Sequence, residues 1–170
     1  MTLDVIGNLN RRFDHTNLQP DLGPQGVQTL CMEARQYGFW SVCLNPIWVP
    51  LAARFLQDSA VKVTSVSGFP LGANRTDLKT MEAVKGTMDG ANEIDMVANI
   101  TWLTDGEATR ARDEIAVIRQ ELPKDVLLKV IIECGRLTED QQREAVMAVI
   151  DGGAEFVKSG TGFYSPVTVE

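Results

Sequence analysis

Glu93-Ile94-Asp95-Met96-Val97 is the stretch on which the fold turns. Ile94 and Met96 share one face of a strand, and Asp95 points to the other. A second run, Leu127-Leu128-Lys129-Val130-Ile131, repeats the pattern with Lys129 opposed to Leu128 and Val130. A lone charge in a buried strand is costly, so two such interruptions on neighbouring strands imply that the charges meet. A closed parallel barrel accommodates them, because its strand positions alternate between the interior and a surrounding helix layer.

Similar β-rich segments recur over residues 11–16, 40–44, 61–67, 93–98, 125–133 and 155–158. Between them the periodicity predicts helices over 24–38, 46–58, 74–90, 105–121 and 138–152. Gly38 and Gly90 read as C-caps, Pro24 and Pro46 lie near first turns, and Thr138 with Gln141 has the form of a capping box. In the last helix Ala145, Val146, Val149 and Ile150 form the expected apolar stripe. Six strands alternating with five helices give a parallel α/β architecture. An open dinucleotide-binding sheet would carry a glycine fingerprint after its first strand, whereas Asn17-Leu18-Gln19-Pro20-Asp21 follows Thr16. The expectation is therefore a (β/α)8 barrel of which residues 1–170 form one domain with about six of the eight βα units.

Hydrophobic residues make up 44% and charged residues 23% of the 170, an ordinary globular composition. A formal charge of −7 disfavours nucleic acid and anionic membrane as partners, while local amides and lysines can still hold a phosphorylated small molecule. Cys31, Cys43 and Cys134 lack metal-ligand or redox spacing, and His15 is the only histidine, which argues for reduced thiols and against a metal site. Neither a secretory signal nor a membrane-spanning run is visible, so a cytoplasmic protein is expected.

Four charged residues, Asp14, Asp95, Lys129 and Lys158, fall on candidate strands and can converge at the carboxyl-terminal mouth of a barrel. They read either as a catalytic set or as a compensated cluster that only orders the interior. Lys158 ends a strand and is followed by Ser159-Gly160-Thr161-Gly162-Phe163. It is either a Schiff-base amine beside a phosphate nest or a surface lysine laid along apolar neighbours before a plain turn. Cys43 reads as a substrate contact or a small buried hydrophobe, His15 as a substrate-orienting or structural residue, and Gly68-Phe69-Pro70-Leu71-Gly72 as a site wall or a tight turn.

Taken together, Asp14-His15-Thr16, Cys43-Leu44-Asn45-Pro46, Gly68-Phe69-Pro70-Leu71-Gly72, Glu93-Ile94-Asp95-Met96-Val97, Leu128-Lys129-Val130-Ile131-Ile132-Glu133 and Phe156-Val157-Lys158 stand in the order and spacing of deoxyribose-phosphate aldolases. The resemblance implies a class I aldolase without metal or cofactor. Such enzymes reversibly cleave 2-deoxy-D-ribose 5-phosphate to D-glyceraldehyde 3-phosphate and acetaldehyde. It implies Lys158 as the Schiff-base lysine and Asp95 as the proton carrier through a bound water, supported by Lys129 and Asp14. Thr16, Cys43, Thr161 and Gly162 are the implied substrate contacts, the last two near the phosphate.

Two departures qualify the resemblance. The family loop usually reads Thr-Ser-Thr-Gly-Phe, and Gly160 here removes a hydroxyl. The family's seventh strand, with a Gly-x-Lys that depresses the Schiff-base pKa, and its eighth have no counterpart. The expectation is a chain that is inactive alone and self-associates through its first and sixth strands, in an assembly of like chains. A noncatalytic phosphosugar-binding or assembly module, and a Schiff-base aldolase with another acceptor, remain alternatives.

Overall fold

The computed structural model describes residues 8–164. Six parallel strands form one sheet in chain order: β1 Asp14–Asn17, β2 Ser41–Leu44, β3 Lys62–Ser67, β4 Glu93–Val97, β5 Leu127–Ile131 and β6 Phe156–Lys158. The crossovers carry α1 Pro24–Tyr37, α2 Val49–Leu56, α3 Thr76–Met88, α4 Ile100–Thr104, α5 Ala108–Glu121 and α6 Glu139–Asp151. Parallel neighbours need such long returning connections.

The two faces of the sheet are chemically distinct. Val42, Leu44, Ile94, Met96, Leu128 and Val130 are fully excluded from water and pack in the same core as Val27 of α1, Val49 of α2, Ile115 of α5 and Val149 of α6. Each fully buried aliphatic side chain contributes roughly 1.5–3 kcal/mol, so this layer between sheet and helices is the main source of stability. The alternate positions, Ser41, Cys43, Thr64, Glu93, Asp95 and Lys129, are buried on the opposite face.

Curvature follows from the contacts of that second face. In a flat sheet six strands wide, β1 and β6 would lie about 24 Å apart at the usual strand spacing. Instead the Asp14 carboxylate of β1 is 2.8 Å from Lys129 Nζ of β5 and 3.7 Å from Lys158 Nζ of β6. The sheet therefore curls into six strands of a (β/α) barrel, with helices outside and charged groups within. Among the described residues β1 and β6 each pair on one side, and Phe156 and Val157 at that edge are 52% and 39% exposed.

Several local expectations are corrected. Residues 9–12 form a 3-10 turn and the first strand begins at Asp14. The Asn10 amide donates to the carbonyls of Tyr37 and Gly38, and Arg11 to that of Phe39, which fixes this segment against the end of α1 instead of a strand. Helix 46–58 divides into a 3-10 turn, Pro46–Trp48, and α2. Helix 105–121 starts only at Ala108, and the short α4 precedes it, with the Asn99 side chain accepting the Trp102 amide. In α6 the capping box of Thr138 and Gln141 is present, but Ile150 is 56% exposed and Ala148 takes its place in the buried stripe. No helix among the described residues is long and apolar enough to cross a membrane.

Candidate active site

Strand parity brings Asp14, Glu93, Asp95, Lys129 and Lys158 together inside the curl. Lys158 Nζ donates to Asp95 Oδ2. Lys129 Nζ lies 2.8 Å from Asp14 Oδ2, 2.5 Å from Glu93 Oε2 and 3.4 Å from Asp95 Oδ1. The Ser41 hydroxyl donates to Asp14 Oδ1 at 2.7 Å. Glu93 accepts from Trp40 Nε1 at 2.5 Å and from the Thr64 hydroxyl at 3.1 Å. Three carboxylates thus face two ammonium groups where Glu93 and Asp95 are each only 1% exposed.

The charges set one another's acidity. Burial works against the Asp14 carboxylate, but Lys129, Ser41 and Lys158 outweigh it and hold its pKa below the ordinary 3.8. Burial dominates at Asp95 and raises its pKa in spite of both lysines. For Lys129, burial is outweighed by Asp95, Glu93 and Asp14, so its pKa rises. Lys158 is pulled down by burial and by Lys129 and pushed up further by Asp95, with a net rise. The attractive carboxylate, not the neighbouring cation, prevails.

The other expected residues divide. Cys43 is 1% exposed beside this cluster, and burial raises its pKa, so it stays a neutral thiol. The Thr16 hydroxyl donates to the Asp14 carbonyl at 2.9 Å. His15 turns to the helix side, where its Nε2 meets Glu33 at 2.8 Å. Beyond Lys158, the Thr161 amide and hydroxyl both donate to Glu133 Oε2, at 3.0 and 2.6 Å. Gly162 has φ 76°, a left-handed conformation open to glycine at little cost. The Phe163 ring stands edge-on to Phe69, with centroids 5.2 Å apart, so the glycine-bounded loop 68–72 borders the same mouth. Gly72 is forced in that loop, because a Cβ there would lie 2.1 Å from the Ala98 carbonyl oxygen.

Glu93 and Glu133 were not among the candidates. Glu93 carried a signal, since it has the same strand parity as Asp95 two residues on. Glu133 ends a motif without any alternation to show where it turns. A cavity of about 310 Å³ reaches Asp14, Lys129 and Lys158 from the amino-terminal side, past Arg11, Trp40 and Phe156. The mouth bordered by loops 68–72 and 159–163 lies at the opposite, carboxyl-terminal ends of the strands.

No family model matches the chain. Among curated proteins it is 44% identical over 153 residues to deoxyribose-phosphate aldolase 1 of Bacillus licheniformis, covering 90% of this chain and 69% of that one. The chain belongs to the deoxyribose-phosphate aldolase family. A relative with the same name from Natranaerobius thermophilus is 43% identical over 98% of this chain and 76% of its own length. Among solved structures, a protein of Coccidioides immitis superposes with a TM-score of 0.91 at 37% identity, over 95% of this chain and 63% of that one. The tetrameric enzyme of Aeropyrum pernix gives 0.87 at 29% identity, over 96% and 70%.

Proposed function

We propose that this member of the deoxyribose-phosphate aldolase family performs the reaction of its namesakes, the reversible cleavage of 2-deoxy-D-ribose 5-phosphate to D-glyceraldehyde 3-phosphate and acetaldehyde, through a Schiff base on Lys158. The observation that carries the reading is the hydrogen bond from Lys158 Nζ to the buried Asp95 carboxylate. Burial raises the Asp95 pKa, so its carboxylate accepts a proton more readily than one in water. Moving the proton from Nζ to Oδ2 leaves a neutral amine and a neutral acid without changing the charge of the site. Lys129, held by Asp14 and Glu93, keeps that charge local.

The neutral Lys158 amine attacks the C1 aldehyde of the open-chain sugar, and loss of water gives the iminium. Splitting a five-carbon chain into two- and three-carbon products breaks the C2–C3 bond. Its electron pair moves into the iminium to form an enamine as the C3 hydroxyl loses its proton. Asp95, directly or through water, returns a proton to C2, and hydrolysis releases acetaldehyde. The substrates are then a phosphosugar and small aldehydes, met in the cytoplasm by an assembly of like chains.

Acetaldehyde and borohydride test this reading. A reduced adduct should map to Lys158 and vanish in Lys158→Met, whereas Asp95→Asn should slow proton exchange at the enamine carbon and still permit some adduct. Labelling spread evenly over surface lysines would sink it. The raised Lys158 pKa favours a second reading, a noncatalytic phosphosugar-binding module, because it holds the amine protonated. That reading predicts no selective adduct at any pH, and catalysis predicts one that grows as pH rises towards the ordinary lysine value of 10.5.

A further inference from the structure

Glu133 belongs to none of the groups that react, yet its construction is unusual. It follows β5, is 2% exposed, and adopts φ 49° and ψ 57°, the left-handed region that residues with a Cβ rarely occupy. Such a conformation persists where surrounding contacts over-determine it. Here they come from the Lys158 loop. The Ile132 amide donates to the Lys158 carbonyl at 3.0 Å, and the Cys134 amide to the Ser159 carbonyl at 2.7 Å. Between these two clasps the Glu133 side chain reaches further along the loop and accepts both the amide and the hydroxyl of Thr161. The Thr161 oxygen in turn accepts the Phe163 amide at 3.2 Å, and Phe163 abuts Phe69.

We infer that Glu133 is a positioning residue: acting through Thr161, it fixes the loop that follows Lys158 and so aims the amine into the barrel. The inference rests on the aldolase reading and sharpens it on one point. Both Thr161 donors are spent on a carboxylate, so Thr161 serves the loop's geometry and not the substrate phosphate. A phosphate at Thr161 would have to displace a buried anion from charge-assisted bonds, and like charges would oppose its approach.

Acetaldehyde separates the roles, because it forms the imine and carries no phosphate. The experiment measures borohydride trapping at Lys158 per folded molecule in the parent chain, Glu133→Gly, Thr161→Val, Thr161→Ser and the Glu133→Gly/Thr161→Val pair. Circular dichroism and urea unfolding give the folded fraction. Glycine keeps the left-handed turn without strain but empties the space of a buried side chain, whereas valine keeps the volume of Thr161, so agreement between the two variants separates the lost bond from the cavity. Trapping should fall about tenfold in Thr161→Val, the change expected from losing one charge-assisted hydrogen bond, and at least as far in Glu133→Gly, which loses two. Thr161→Ser should recover most of the Thr161→Val loss, and the pair should be no worse than Glu133→Gly alone. The inference is overturned if acetaldehyde trapping per folded molecule is unchanged. It is equally overturned if the sole change is a higher deoxyribose 5-phosphate concentration for half-maximal trapping, which would make Thr161 a phosphate ligand. Absence of selective trapping in the parent chain would remove the aldolase reading, and this inference with it.

Discussion

Replacing Lys129 by methionine isolates what the interior cation does. The side chain is 7% exposed and has three carboxylates within 3.4 Å, so its loss leaves Asp14, Glu93 and Asp95 facing Lys158 alone. Breaking a buried pair by removing one partner costs about 3–5 kcal/mol. A second route gives the same size. The variant can relieve the repulsion by protonating one carboxyl. Starting from the ordinary value of 3.8, this costs about 4 kcal/mol at pH 7 and about 2 kcal/mol at pH 5, at 1.36 kcal/mol per unit. Urea unfolding of both proteins at the two pH values should therefore show a stability gap near 4 kcal/mol that roughly halves on acidification. The direction follows from linkage. In the parent, the depressed Asp14 pKa gives stability that is present above 3.8 and lost as pH falls through the folded value. In the variant a carboxyl gains a proton on folding, so acid stabilises it. A gap under about 1 kcal/mol, or one that does not change with pH, would refute the view that Lys129 neutralises this cluster.

Two further outcomes are expected. Lys79, fully buried, donates to Glu114 Oε2 and to the Val97 carbonyl, both at 2.9 Å. Lys79→Met should cost about 3–5 kcal/mol in urea unfolding, and Lys79→Met/Glu114→Leu should recover most of it, since an apolar pair replaces an ion pair at little cost. A double variant as unstable as the single would refute that account. Trapping of acetaldehyde at Lys158 should rise with pH to above 10.5, following the raised pKa, and a plateau below pH 9 would place a compensating cation beside Nζ.

Much of this architecture is legible in the chain because charge inside a strand is rare enough to be informative. Asp95 and Lys129 announced both the parity of their strands and their mutual contact, and Lys158 announced the mouth. Glu93 has the same parity, but a glutamate at a strand's start reads equally well as solvent-facing. Lys79 and Glu114 gave no signal, for each sits in a helix among other polar residues and their partnership spans 35 positions. The Lys158 pKa eluded residue-level reasoning for another reason: its sign depends on which neighbour lies closer, and Asp95 is in contact while Lys129 is not. At residues 9–12 side-chain bonds to the end of α1 overrode an extended reading, as tertiary contacts often override local preference.

The strictly sequential strand order has a bearing on synthesis. A ribosome polymerises Asp14, Glu93 and Asp95 before either Lys129 or Lys158, and they leave the exit tunnel in that order. A nascent chain stopped at Pro123 therefore holds the three acidic members of the cluster and neither of its cations. Collapse of the first four strands would bury like charges together, so at neutral pH the growing chain gains more by staying open until β5 arrives. Protease resistance of stalled nascent chains should accordingly appear in a step once Lys129 has left the exit tunnel, not strand by strand. The distribution of charge along the message thus acts as a timer, postponing compaction until the amine of β6 is nearly in hand.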